Sequence, residues 1–130
     1  MFARSAEPDG KALWLVWQRA ASGYHHHVMT MDTASPEVRG VGGVYLIWHL
    51  GSPPEWIAIG DAEDIGATLD RLRSDPAFAA LDPSGGLYAT WVELDGQSRS
   101  GVVRYLSDLL RPALGGRTAS ASPIPVNIPH

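Results

Sequence analysis

The sequence predicts a small α+β domain in which helices pack on a mostly antiparallel sheet. Short apolar and aromatic runs recur between turn residues, which is the pattern of strands. Two later segments switch to helical periodicity. The chain has 130 residues, 45 % of them hydrophobic and 18 % charged, which suits one buried core, residues 1–130 forming a single domain.

Residues 1–11 are polar and read as a loosely docked start. Ala12–Gln18 is aromatic and β-branched enough for a strand. Arg19–Gly23 is a small-residue turn, and Tyr24–Met31 alternates as a second strand. The two read as an N-terminal β-hairpin over 12–31, expected to extend the main sheet at one edge because an isolated hairpin is marginal in water. Asp32–Gly42 is a loop with a helical turn at Pro36–Arg39. Val44–Leu50 is the strongest strand, Gly51–Pro54 breaks it, and Glu55–Ile59 returns as its hairpin partner.

Asp61–Ser74 turns helical, with Ile65, Leu69 and Leu72 on one face and Asp61, Glu63 and Asp64 in the first turn, where the helix dipole favours anions. Pro76 stops it, and one further turn reaches Leu81. Pro83–Gly86 turns the chain into a strand over Leu87–Leu94, and Asp95–Gly96 turns it again. Ser98 or Ser100 caps a last helix running to about Leu110, with Val102, Val103, Leu106, Leu109 and Leu110 as its apolar stripe. Pro112 and Gly115–Gly116 end that helix, and residues 116–130, with Pro123, Pro125 and Pro129, form an extended tail along the body.

Composition narrows the function. The chain has no cysteine, which excludes disulfides, thiolate metal sites and cysteine nucleophiles and suits a cytoplasmic protein. Ten basic against fourteen acidic residues give a net charge of −4, which disfavours nucleic acid as the main partner. No apolar run reaches the ~20 residues of a membrane span, and Met1–Gly10 lacks a signal-peptide pattern. Lys11 is the single lysine, in a composition like that of a GC-rich bacterial genome. No serine sits in a Gly-x-Ser-x-Gly elbow, and Gly40–Gly43 precedes a strand where a phosphate loop would follow one.

Gly43-Val44-Tyr45, then Ala58-Ile59-Gly60, then an amphipathic helix, a strand and a helix ending at Pro112 resemble a GIY-YIG nuclease domain over residues 40–115. The resemblance implies two tyrosines and an arginine beside a scissile phosphate, a glutamate holding one divalent metal, and a supporting asparagine. Tyr45 matches the first tyrosine. The other four positions fall on Ala58, Thr68, Val103 and Gly115, none of which carries the needed group. Arg71 is the candidate to replace the arginine, and Asp61 and Glu93 are weak candidates for a metal. The charged residues of 55–75 are mostly acidic, six against Arg71 and Arg73, which repels a phosphate backbone.

Other features carry alternatives. His25 and His27 share a strand face, but two imidazoles without a further ligand make a poor metal site. Met29 and Met31 beside them read as core. Five tryptophans (Trp14, Trp17, Trp48, Trp56, Trp91) are expected mostly in the core, with some forming an exposed partner surface, Trp56 among them. Arg99, Arg104, Arg111 and Arg117, opposed by Asp108, make the C-terminal helix a candidate docking face, with Arg104 and Arg111 its chief contacts.

Together these imply a catalytically inactive GIY-YIG-like binding or structural module, with no cofactor and with a protein partner ahead of nucleic acid. The alternatives are a divergent metal-dependent DNA endonuclease using Tyr45 with displaced ligands, and an unrelated α+β interaction module. A carboxylate and an arginine near the Tyr45 hydroxyl would favour the enzyme, and Val44–Leu50 at a sheet edge would favour the unrelated module.

Overall fold

The apolar run ahead of Gly51 becomes one of the two inner strands of the sheet. In the computed structural model, which describes residues 13–20, 23–50, 54–82, 86–114 and 121–129, the elements are β1 (His26–His27), β2 (Gly43–His49), β3 (Glu55–Ala62), α1 (Ile65–Arg73), α2 (Pro76–Ala79), β4 (Leu87–Glu93) and α3 (Gly96–Leu110). The four strands form one antiparallel sheet in the order β1-β4-β2-β3, so β2 lies inside it. The expected break at Gly51–Pro53, the turn at Pro83–Gly85, the stop at Gly115–Gly116 and residues 1–12 and 130 lie outside the described residues.

Alternation along the strands builds two cores. Ile47, Ala89 and Trp91 face one side and pack with Ile65 and Leu69 of α1 and Phe78 of α2. Val44, Leu46 and Val92 face the other and pack with Val102 and Leu106 of α3. Between Ile47 and Trp48 the β2–β3 register shifts, because Ile47 pairs with Ala58 and Trp48 with Trp56, leaving Ile57 over. Such a bulge sends two successive side chains to one face, and Ile57 and Ala58 both join the first core. Beyond α3, Ala113 and Leu114 donate to the carbonyls of Trp56 and Ile57 at 2.9 and 2.8 Å and cover that part of the β3 edge.

Among the described residues no ladder joins the two predicted strands of the N-terminal hairpin; one backbone bond, Ala20 N donating to Tyr24 O at 2.7 Å, links them across the turn, and β1 lies at the edge of the sheet. Val28 donates to Leu87 O at 2.8 Å, and then Thr30 and Met31 turn back to His27 O, so the predicted strand over Tyr24–Met31 is reduced to two paired residues. Leu13–Trp17 runs instead beside the tail, while Gln18 N donates to Trp91 O of β4 at 2.9 Å. Leu13 bridges Val126 in parallel, and the Asn127 amide mimics a strand neighbour, accepting from Leu15 N at 2.6 Å and donating to Leu15 O at 2.8 Å. Leu15 and Trp17 point into the second core, while Trp14 and Val16 face solvent. The tail is fixed on α3 by Ile124 N donating to Gly101 O at 2.9 Å, at a glycine where a Cβ would stand 2.6 Å from Ile124.

The helices start and stop elsewhere than expected. β3 runs on to Ala62, so Asp61 is a strand residue and α1 has no acid in its first turn. Asp64 is its N-cap, accepting from Ala67 N at 3.1 Å and from Gly40 N at 2.9 Å. Asp95, not Ser98 or Ser100, caps α3 by accepting from Gln97 N and Ser98 N. Arg111, at φ 50°, closes α3 in the left-handed conformation, one residue before Pro112. Leu109, expected in the apolar stripe, is 50 % exposed.

The two amides on Asp64, Gly40 first and then Ala67, hold its carboxyl below the ordinary value. A depressed folded pKa stabilises the protein above the unfolded pKa, about 3.9, and the effect is lost as pH falls through the folded value. Asp64→Asn keeps a competent cap but cannot titrate. The melting temperatures of the two proteins should therefore differ most near neutrality and converge in acid. Parallel profiles would show that Asp64 does not couple stability to pH.

Candidate functional site

Two regions of the sheet carry chemistry, on opposite faces. On the α1 face, Tyr45 pairs with Gly60 across the β2–β3 ladder, and its hydroxyl lies over that glycine, where a Cβ would stand 2.6 Å away. Burial holds the Tyr45 phenol above its ordinary pKa, with Asp61 pushing the same way and Arg71 against it. Arg71, one turn beyond Thr68, donates to the Thr68 hydroxyl at 3.4 Å, which brings its guanidinium to the position that the resemblance assigns to an arginine.

The remaining residues of that set are not assembled. Ala58 is opposite Ile47 and packs into the first core. Val103, expected to be buried, is only partly so, and the fully buried residue at that point of α3 is Val102. Glu93 is opposite Gly43 and Asp61 opposite Val44, neighbouring β2 positions that alternate to opposite faces. No group of three or more His, Asp or Glu able to hold a metal occurs among the described residues. Gly115 and Arg117 lie outside the described residues.

The expected basic face of α3 is largely neutralised. Arg104 pairs with Asp108 at 2.8 Å and reaches Ala121 O at 3.4 Å. Arg99 pairs with Glu63 at 3.0 Å and donates to Leu94 O at 2.7 Å, so Asp108 is not the only opposing acid. Arg111 is exposed at the helix end.

The other face of the sheet, beyond the end of α3, carries an aromatic groove. The histidine run contributes by lying against three rings. His25 meets Trp48 edge-on with centroids 4.8 Å apart, and His27 meets Tyr88 edge-on at 5.0 Å. His26, on the opposite face, lies 4.8 Å from Trp91 with its Nε2 3.3 Å from Glu37. Trp48 contacts Trp56 at 5.6 Å and Tyr88 at 6.3 Å. Three hollows share His25. The largest, about 350 Å³, is walled by Trp48, Leu50, Pro54, Trp56 and Pro129. One of about 220 Å³ runs towards Tyr24 and Tyr88, and one of about 200 Å³ towards Trp14, Trp17 and Ile128.

The five tryptophans divide by use. Trp17 and Trp91 are buried, and their indole N–H groups donate to Asn127 O and Glu37 O, both at 3.0 Å. Trp48 and Trp56 are half-buried and Trp14 is 77 % exposed. The indole N–H groups of these three donate to no acceptor among the described residues. Tyr24, 77 % exposed, and Leu50, 56 % exposed, extend the apolar rim. Of the expected partner contacts, only Trp56 belongs to this surface. The Trp48–Trp56 pairing is implicit in a hairpin centred on residue 52; the arrival of Tyr88, His25 and Pro129 depends on distant pairing and has no local signal.

Comparison with protein-family models, curated proteins and solved structures finds no match for this chain.

Proposed function

We propose that this protein is a non-catalytic binding module, a GIY-YIG-like domain whose nuclease chemistry is lost and which engages a protein partner in the cytoplasm. The observation that carries the reading is the aromatic groove around His25, whose exposed Trp14, Tyr24 and Leu50 form the kind of rim seen at interfaces. The inner position of β2 and the order hairpin, helix, strand, helix support the family resemblance. Loss of the metal ligand at Val103 supports the absence of cleavage, because the single-metal reaction needs the ion to activate water and neutralise charge. Neutralised arginines on α3 favour a protein over nucleic acid.

One observation favours the second reading, a divergent metal-dependent endonuclease: Asp61 and Arg71 both act on Tyr45. Against it, a phenol whose pKa is raised is less readily ionised, so little phenolate is available to act as a base, and one carboxylate is a weak hold on a divalent ion.

Supercoiled plasmid with Mg²⁺ or Mn²⁺ tests the pair of readings. The expected result is no nicking by wild type, and none by Val103→Glu, since the other groups are still missing. Nicking that disappears in Tyr45→Phe would overturn the binding reading and establish the enzyme.

A further inference from the structure

We infer that the groove around His25 binds an extended, proline-rich peptide of a partner protein. The inference rests on the binding reading above and names the partner's chemistry. The groove offers apolar aromatic walls and, at Trp14, Trp48 and Trp56, indole N–H groups that meet no acceptor among the described residues. Its best complement is a chain with apolar faces, free acceptors and few donors of its own. A polyproline II segment has those properties: its carbonyls make no internal hydrogen bonds, its prolines have no N–H, and it is already extended, so little entropy is lost on docking.

The molecule already uses this chemistry on itself. The tail carries Pro123, Pro125 and Pro129 in an extended run beside Leu13–Trp17. Within it, the Pro125 carbonyl accepts from Leu13 N at 2.9 Å, and the Asn127 carbonyl accepts from the Trp17 indole at 3.0 Å. Pro129 then forms part of the wall of two of the three hollows. The groove continues this internal interface, with more rings and donors than the tail uses. The ring pairs His25–Trp48 and Trp48–Trp56 in its walls stand edge-on to each other.

Single-stranded nucleic acid also stacks on aromatic rings, but it requires a positive channel along its backbone. The acidic and basic side chains lining the three hollows are Arg19, Glu55 and His25, which provide no such channel. The groove therefore selects a peptide.

Titration of the full chain with decaproline, followed by tryptophan emission, tests the inference, with a Gly-Ser peptide of equal length and a thymidine decanucleotide as the other arms. Decaproline is expected to give a saturating change that the Gly-Ser peptide does not. Trp56→Ala should weaken binding about tenfold or more, as expected of a central interface anchor. Tyr24→Ala, at an exposed position that cannot unfold the core, should weaken it about threefold with an unchanged melting curve. Absence of saturation, saturation by the decanucleotide instead, or affinity unchanged in both variants would overturn the proline-peptide inference. Each of those results leaves the non-catalytic reading intact, since that reading fails only through plasmid nicking dependent on Tyr45.

Discussion

Trp91→Ala should lower the stability of the fold by about 3–5 kcal/mol, the range for truncating a large buried aromatic. Trp91 is 1 % exposed and stands in β4 between the helical layer and His26 of β1. The truncation leaves a cavity beside Ile47 and Ile65 and removes the donor to Glu37 O, which helps dock the loop ahead of β2. A domain of this size is stable by only about 5–15 kcal/mol, so much of that margin goes. Trp91→Phe refills most of the volume but not the donor, and should cost about 1–2 kcal/mol. Urea denaturation measures both. Equal losses in the two variants would mean that the hydrogen bond, not the packing, makes Trp91 important.

Arg73→Ala should cost about 2–3 kcal/mol, because one guanidinium holds a whole connection in place. Its Nη1 donates to Val28 O at 3.1 Å and Met31 O at 2.8 Å, and its Nη2 to the buried Thr33 hydroxyl at 3.2 Å. Removing it strands acceptors beside the first core. Arg73→Lys keeps the charge but cannot reach three acceptors with one planar fork, so it should recover only part of the loss. A loss below about 0.5 kcal/mol for the alanine variant would show that water satisfies these groups instead.

These two residues also mark the limit of what the sequence discloses. β2, β3, β4, α1 and α3 were legible because their apolar periodicity is local, as at Ile65 and Leu69 or at Val44 and Leu46. The strand signal of Leu13–Trp17 was real, yet it could not say which neighbour would satisfy it. Tyr24–Met31 offered the nearest partner, and the tail won through the Asn127 side chain, an interaction with no sequence signature. Helix starts were misplaced because several polar residues at each boundary can cap, and register decided for Asp64 and Asp95. The aromatic groove was visible as a count of tryptophans, whereas its members come from five separate stretches of the chain. Arg71 could be singled out from helical spacing alone.

The pairing of Leu15 with Asn127 spans 112 residues, among the longest separations the chain can close. Closing so large a loop costs entropy that few contacts reward until the sheet and α3 are already in place. By that argument the clasp is expected to close after the local β2–β3 hairpin. Trp14, Trp17 and Pro129 all wall the groove, so the clasp that joins the two ends of the chain also forms one wall of it. Loosening the clasp therefore disturbs one wall of the groove together with Leu15, Trp17 and Val126 of the second core.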